Sequence, residues 1–234
     1  MIVALFLFMP FQSETSEIVD SDLCPSVSPF NYIALSLTWT PGFCFQNEKC
    51  INLPVNRWTI HGTWPSNYAA PSPSYCCIAP DAEERVIQKF SHQLNKYWKG
   101  MGRSNTEFWN YEWNKHGTCG YGSRKLFGQL NYFQSTLLLF HAIDLDSSLS
   151  RKLILPHKFG LLSVYSLEHI RASLMSEYGK RVKFGCRNVQ MHISGTSNFL
   201  KEIIFCFDKH KLRQINCVGK DFKCDGKFVH YVKY

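Results

Sequence analysis

The sequence predicts an α+β fold: a single domain with a central antiparallel β-sheet, packed by several helices and cross-linked by disulfides. Three observations carry that reading. Strand-like apolar runs stand near both ends of the 234-residue chain, with helical periodicities between them, the order expected of an α+β domain. Ten cysteines, an even number, follow a short apolar N-terminal run, which points to disulfides in an oxidising compartment. A hydrophobic content of 45% with 15% aromatic residues supplies a packed core, unlike the composition of a disordered chain.

The elements follow in chain order. "MIVALFLFMPF" is too short to span a bilayer and reads as a secretory signal, although it lacks a basic n-region. Residues 1–23 are therefore assigned to the signal and a poorly defined N-terminus, and residues 24–234 to the domain. In "FNYIALSLTW", Ile33, Leu35, Leu37 and Trp39 alternate with Tyr32, Ala34, Ser36 and Thr38, the period of a half-buried strand. "RWTIHG" is a second, shorter strand ending at His61, and "SNYAAPSPSY" is turn-rich loop. Acidic residues open the helical stretch 81–98, and Gly100 follows it. "TEFWNYEWNKH" reads as helix with Gly117 as its stop, and residues 124–143 as a long buried helix. Residues 166–179 form another, with Ser166 as N-cap and Gly179 past the end. "LKEIIFCFD" is a β run, and the tail after Gly185 holds four cysteines.

The net charge of +8 favours an anionic partner without choosing one. No later segment reaches about 18 uninterrupted apolar residues, so no membrane anchor is expected. No CxxC pair and no Asn-x-Ser/Thr sequon occur, so neither a structural metal site nor N-glycosylation is expected.

Chemistry concentrates in "WNYEWNKHGTC", where Glu112, Lys115 and His116 stand within five residues. On a helix these three share a face, because residues three and four apart are neighbours. A carboxylate there can orient or charge-balance an imidazole, and an ammonium can stabilise an oxyanion. His61 in "WTIHGTWP" supplies a second imidazole if strand and helix pack together. Two imidazoles of near-neutral pKa can serve as acid and base across one phosphodiester, with Lys115 stabilising the phosphoryl oxygens. The alternative is that His61 and His116 are unrelated surface or core histidines beside a solvated Glu112–Lys115 pair.

"WTIHGTWPSNY" at 58–68 and "FWNYEWNKHGTC" at 108–119 resemble the two signature segments of the ribonuclease T2 family, in the family's order. "SLTWTPGFC", "LNYFQSTLLLFHAIDL" and the "IIFCFD…INC…C" tail extend the likeness over most of the chain. The resemblance implies a secreted, metal-independent endoribonuclease without cofactor. Such an enzyme cuts single-stranded RNA by attack of the 2′-OH on phosphorus, giving a 2′,3′-cyclic phosphate and then a 3′-phosphate. The required 2′-OH would exclude DNA. His116 would be the general base and His61 the general acid. Glu112 and Lys115 would stabilise the phosphorane, and Trp64 would help hold the substrate. Two positions depart from the pattern. Thr63 replaces the usual Leu, an effect on packing rather than chemistry. Tyr111 stands where many members carry a phosphate-binding histidine; its hydroxyl can donate a hydrogen bond but carries no charge.

The resemblance also implies the disulfides Cys44–Cys50, Cys76–Cys119, Cys186–Cys224 and Cys206–Cys217. Cys24 and Cys77 remain, either paired together or with Cys77 replacing Cys76. Cys119 as a nucleophile beside His116 is the competing idea. The basic pI, "TWTPGFC" and the tail lean toward the stylar S-RNases of gametophytic self-incompatibility, whose partners would include pollen-side recognition proteins. The absent sequon and Tyr111 lean away. S-like ribonucleases of RNA turnover, phosphate recovery or defence are the alternative, as is a catalytically weakened secreted binding or storage relative. The chain is expected to be a monomer, with the loop at 66–75 available for partner recognition.

Overall fold

The computed structural model describes residues 29–50, 56–191 and 195–234. The predicted signal segment and Cys24 lie outside the described residues. Among the described residues, seven strands form one sheet: β1 (Tyr32–Trp39), β2 (Trp58–Ser66), β3 (Val164–Ser166), β4 (Lys183–Met191), β5 (Gly195–Asp208), β6 (Gln214–Ile215) and β7 (Phe228–His230). Six helices accompany it: α1 (Thr40–Cys44), α2 (Glu84–Tyr97), α3 (Asn105–Lys115), α4 (Gly128–His141), α5 (Leu145–Ser150) and α6 (Leu167–Tyr178). Strand order is β2-β1-β5-β7-β3, with β4 and β6 also paired to β5. Pairing is antiparallel as expected, except where β5 and β7 meet in parallel at Phe199 and His230.

Strand β1 departs from the half-buried expectation: all eight of its residues are buried. The cause is its central place, between β2 and β5, with both faces covered. Ile33, Leu35, Leu37 and Trp39 enter the main core beneath the helices, with Trp98, Trp113, Tyr132 and Phe133. Tyr32 and Ala34 pack instead in a second cluster with Ile204, Cys206 and Cys217. The polar residues of that second face, Ser36 and Thr38, are fully covered too. Their alternation marks a site floor, not a solvated surface.

Helix starts were the less legible boundaries. Helix α2 begins at Glu84, not at residue 81, because the preceding residues are committed to other elements. Asn110 Oδ1 accepts from the Ala82 amide, Gln129 Oε1 from the Glu83 amide, and Asp81 Oδ1 from Asn114 Nδ2. Helix α4 begins only at Gly128, whose φ of 76° breaks the run before it, and it is not buried throughout, since Leu138 is 58% exposed. Helix α6 has the predicted ends, with the Ser166 hydroxyl accepting from the His169 amide and Gly179 left-handed at φ 68°.

The four disulfides implied above are present. Cys76 itself bonds Cys119, so Cys77 does not replace it and Cys119 is no free nucleophile. Cys77 is also disulfide-bonded. Cys76–Cys119 closes a separation of 43 residues and clamps the loop after β2 to the end of α3. Chain-entropy arithmetic for such a loop gives about 4 kcal/mol. Cys76→Ser with Cys119→Ser is therefore expected to lower unfolding free energy by that order in denaturant titration. A loss below about 1 kcal/mol would show that the clamp restrains little.

Candidate active site

The site begins with a count mismatch between two strands. In the ladder of β1 and β2, Ser36 pairs with Gly62 but Leu37 pairs with Ile60. His61 is thus the extra residue of a β-bulge, not the end of a strand, and β2 runs on to Ser66. A bulge bends its strand and re-aims a side chain. Here it turns the imidazole onto the second face of the sheet. Trp98, at the C-cap of α2, donates its Nε1–H to the His61 carbonyl at 2.8 Å and secures the bulge.

Helix α3 brings the second group of residues. A capping box between Ser104 and Glu107 starts it. It ends at Lys115, and His116 forms the junction with a 3-10 turn over Gly117–Gly122. Gly117 does not adopt a positive φ; it is needed because a Cβ there would lie 2.3 Å from the Trp113 ring. Tyr75 donates its backbone N–H to the Lys115 carbonyl at 2.8 Å, beside the Cys76–Cys119 bond.

The two segments meet around Trp64. Its ring centroid lies 5.0 Å from that of His61 and 5.3 Å from that of His116. The two imidazoles therefore flank one indole and are no further apart than the sum of those distances. Trp64 Nε1 donates to Glu112 Oε2 at 3.0 Å, and Glu112 Oε1 stands 3.7 Å from His61 Nε2. Gly62 makes this approach possible, since a Cβ there would lie 2.0 Å from Glu112 Oε2. Lys115 Nζ donates to the Tyr111 hydroxyl at 2.7 Å, and the Arg103 guanidinium sits 4.7 Å from the Tyr111 ring centroid. Thr63, the other departure from the signature pattern, is buried on the core face, its hydroxyl 2.8 Å from that of Thr136 on α4.

One participant went unread in the sequence. Glu202 of β5 accepts from His61 Nδ1 at 2.8 Å, and Lys201 Nζ lies 3.1 Å from the same oxygen. Its signal was a carboxylate inside the otherwise apolar run "LKEIIFCF". A cleft of 330 Å³ also opens beside His61, lined by Phe43, Asn47, Lys49, Arg103, Phe108 and Tyr111 among others. Rings and cations interleaved in this way suit a base and its phosphate.

Electrostatics separates the two imidazoles. Burial disfavours the His61 cation, but the Glu202 and Glu112 carboxylates outweigh that and raise its pKa above 6.5. His116 is half-buried with no carboxylate in contact, its Nδ1 without a hydrogen-bond partner among the described residues. Burial, then the Lys115 and His61 charges, push its pKa down to about 3. Burial raises Glu112 against the pull of His61 and Trp64. Burial also opposes ionisation of Glu202, yet the His61 and Lys201 cations hold it down to about 2. The hydrogen bond to Tyr111 raises Lys115. The site thus pairs an imidazole whose protonated form is favoured with one whose neutral form is.

Comparison with known proteins follows the same segments. The model of the Ribonuclease T2 family matches residues 30–217. Ribonuclease T2 of Danio rerio is 32% identical over 76% of this chain and 69% of its own length. Ribonuclease S-3 of Pyrus pyrifolia is 29% identical over 83% of this chain and 85% of its own. The solved structure of ribonuclease MC1 from bitter gourd seeds superposes with a TM-score of 0.74 at 25% identity, covering 86% of this chain and all of that one. Among the described residues, no helix is long and apolar enough to cross a membrane.

Proposed function

This chain belongs to the ribonuclease T2 family, and from that premise we propose that it is an endoribonuclease cutting single-stranded RNA by transphosphorylation. The observation that carries the reading is the pair of imidazoles on either flank of Trp64, one with its pKa raised and the other with it lowered. Titratable pairs pushed in opposite directions mark an acid and a base.

In this reading neutral His116 takes the 2′-OH proton while O2′ bonds to phosphorus. The P–O5′ bond then breaks, and its electron pair takes the proton carried on His61 Nε2. A 2′,3′-cyclic phosphate and a free 5′-OH result. Lys115 supplies a fixed cation for the equatorial oxygens. Glu112, held by Trp64 Nε1 at 3.0 Å and standing 3.7 Å from His61 Nε2, serves the phosphorane as a hydrogen-bond donor when it carries a proton and His61 as a counter-charge when it does not. Trp64 and the cleft beside His61 hold the nucleotides. Tyr111, held by Lys115 and covered by Arg103, occupies the place of a charged phosphate ligand, so the two cations beside it carry that duty.

Digestion of an oligoribonucleotide and its 2′-deoxy counterpart tests the reading. Only the ribose strand should be cut, with 2′,3′-cyclic phosphate ends detectable by phosphorus NMR. Cleavage of both strands, or of neither, contradicts it.

For the biological role, the charge of +8 and the similarity to Ribonuclease S-3 support the secreted, stylar S-RNase reading, with a monomer as the acting species. The four described disulfides fit an oxidising compartment. Transcript confined to styles is the expected result. Uniform expression in leaf and root would favour an S-like role in RNA turnover.

A further inference from the structure

We propose that Glu202 is a positioning residue of the cleavage reaction, holding His61 in the tautomer and charge state that deliver a proton to the leaving 5′-oxygen. The inference rests on the acid role given to His61 above. The geometry is a built arrangement. His61 presents Nδ1 to Glu202 at 2.8 Å, which leaves Nε2 as the nitrogen facing Glu112 and the site. A carboxylate on one ring nitrogen fixes where the other proton sits.

Two bulges make the contact possible, one on each neighbour of β1. His61 is the extra residue of β2. On β5, Glu202 pairs with Gly185 and Leu200 with Cys186, so Lys201 has no partner in β4 and is extra in the same sense. Glu202 itself faces Thr38 across β1. A regular ladder at either place would send the side chains to other positions. Room for the carboxylate comes from Gly185, where a Cβ would lie 2.8 Å from Glu202 Oε2.

The cost of this placement argues for a role. The Glu202 side chain is 4% exposed, and a buried carboxylate is expensive unless paired. Among the described residues its ion-pair partners are His61 and Lys201, so the site maintains a buried anion against the imidazole. His61 is also faced by Glu112 from α3, and the cleft around it holds Lys49, Arg103 and Tyr111. None of these bonds Nδ1. Glu202 and Glu112 both distinguish the environment of His61 from that of His116, and of the two it is Glu202 that bonds a ring nitrogen.

The experiment compares two substrates and two variants. A dinucleoside phosphate has an alkoxide leaving group that needs a proton, whereas uridine 3′-(4-nitrophenyl phosphate) releases a phenolate that does not. Glu202→Gln keeps shape and an acceptor oxygen but removes the charge. On the dinucleotide it should lower kcat by about tenfold or more and move the alkaline limb of the pH profile downward. On the nitrophenyl ester it should stay near wild type. His61→Ala, run in parallel, should show the same selective rescue; if it does not, the acid role of His61 is at fault, and with it the premise. Equal losses for Glu202→Gln on both substrates, or an unmoved alkaline limb, overturn the role of Glu202 alone. Should the variant fold poorly, nitrogen-15 shifts of His61 in the wild type decide the matter. A protonated, hydrogen-bonded Nδ1 throughout the active pH range is expected, and a deprotonated Nδ1 contradicts the proposal.

Discussion

Replacing His116 by alanine is expected to lower kcat/KM on RNA by about 10²–10⁴-fold, the usual worth of a positioned general base, with His61→Ala falling in the same range. The argument is one of supply. No other described side chain near the Trp64 ring is a neutral imidazole, and Lys115 stays protonated because Tyr111 accepts its hydrogen bond and raises its pKa. Loss of His116 should not mimic misfolding, since its Nδ1 has no hydrogen-bond partner to strand among the described residues. The two variants should also diverge in stability with opposite pH dependence. The folded pKa of His61 is raised, so its contribution is fully present below about 6.5 and fades as pH climbs through the raised value. That of His116 is depressed to about 3, so folding must oppose its protonation between about 6.5 and 3. In urea titrations at about pH 5, His61→Ala should therefore destabilise, while His116→Ala should stabilise or leave stability unchanged. Equal activity of both variants with wild type would remove the acid–base account altogether.

Glu112→Ala is expected to cost about 10²–10³-fold in kcat, the range found when one preorganised donor to a developing anion is removed. If Glu112 acts as a donor, Glu112→Gln should lose clearly less, because an amide N–H can replace a carboxyl O–H. The side chain is fully buried, fixed by Trp64 Nε1 at 3.0 Å and fitted over Gly62, so little reorganisation accompanies the reaction. If Gln is as poor as Ala in single-turnover assays, Glu112 works through its negative charge on His61 Nε2, 3.7 Å away, and not as a donor.

Much of this site was legible because its residues sit in two short segments whose local patterns are strong. Glu112, Lys115 and His116 follow from one helical turn, and His61 and Trp64 from one strand. What escaped the sequence was everything that depends on strand register. The bulge at His61 exists only relative to β1, and nothing in "RWTIHG" counts residues on its partner. Glu202 lay inside an apolar run that reads as a buried strand, and only the ladder with β1 and β4 brings its carboxylate to His61. Ser36 and Thr38 gave a correct period of two but the wrong environment, because periodicity cannot tell water from a covered polar floor. Strand β4 was missed for a related reason: its outward positions Arg187, Asn188 and Gln190 dilute the apolar signal.

The central claim is that His61 enters the reaction protonated and His116 neutral. NMR titration of the two imidazole rings in the free wild-type protein tests it most directly. The account predicts a His61 pKa above 6.5 and a His116 pKa well below it. The reverse order, or two unshifted histidines, would contradict it.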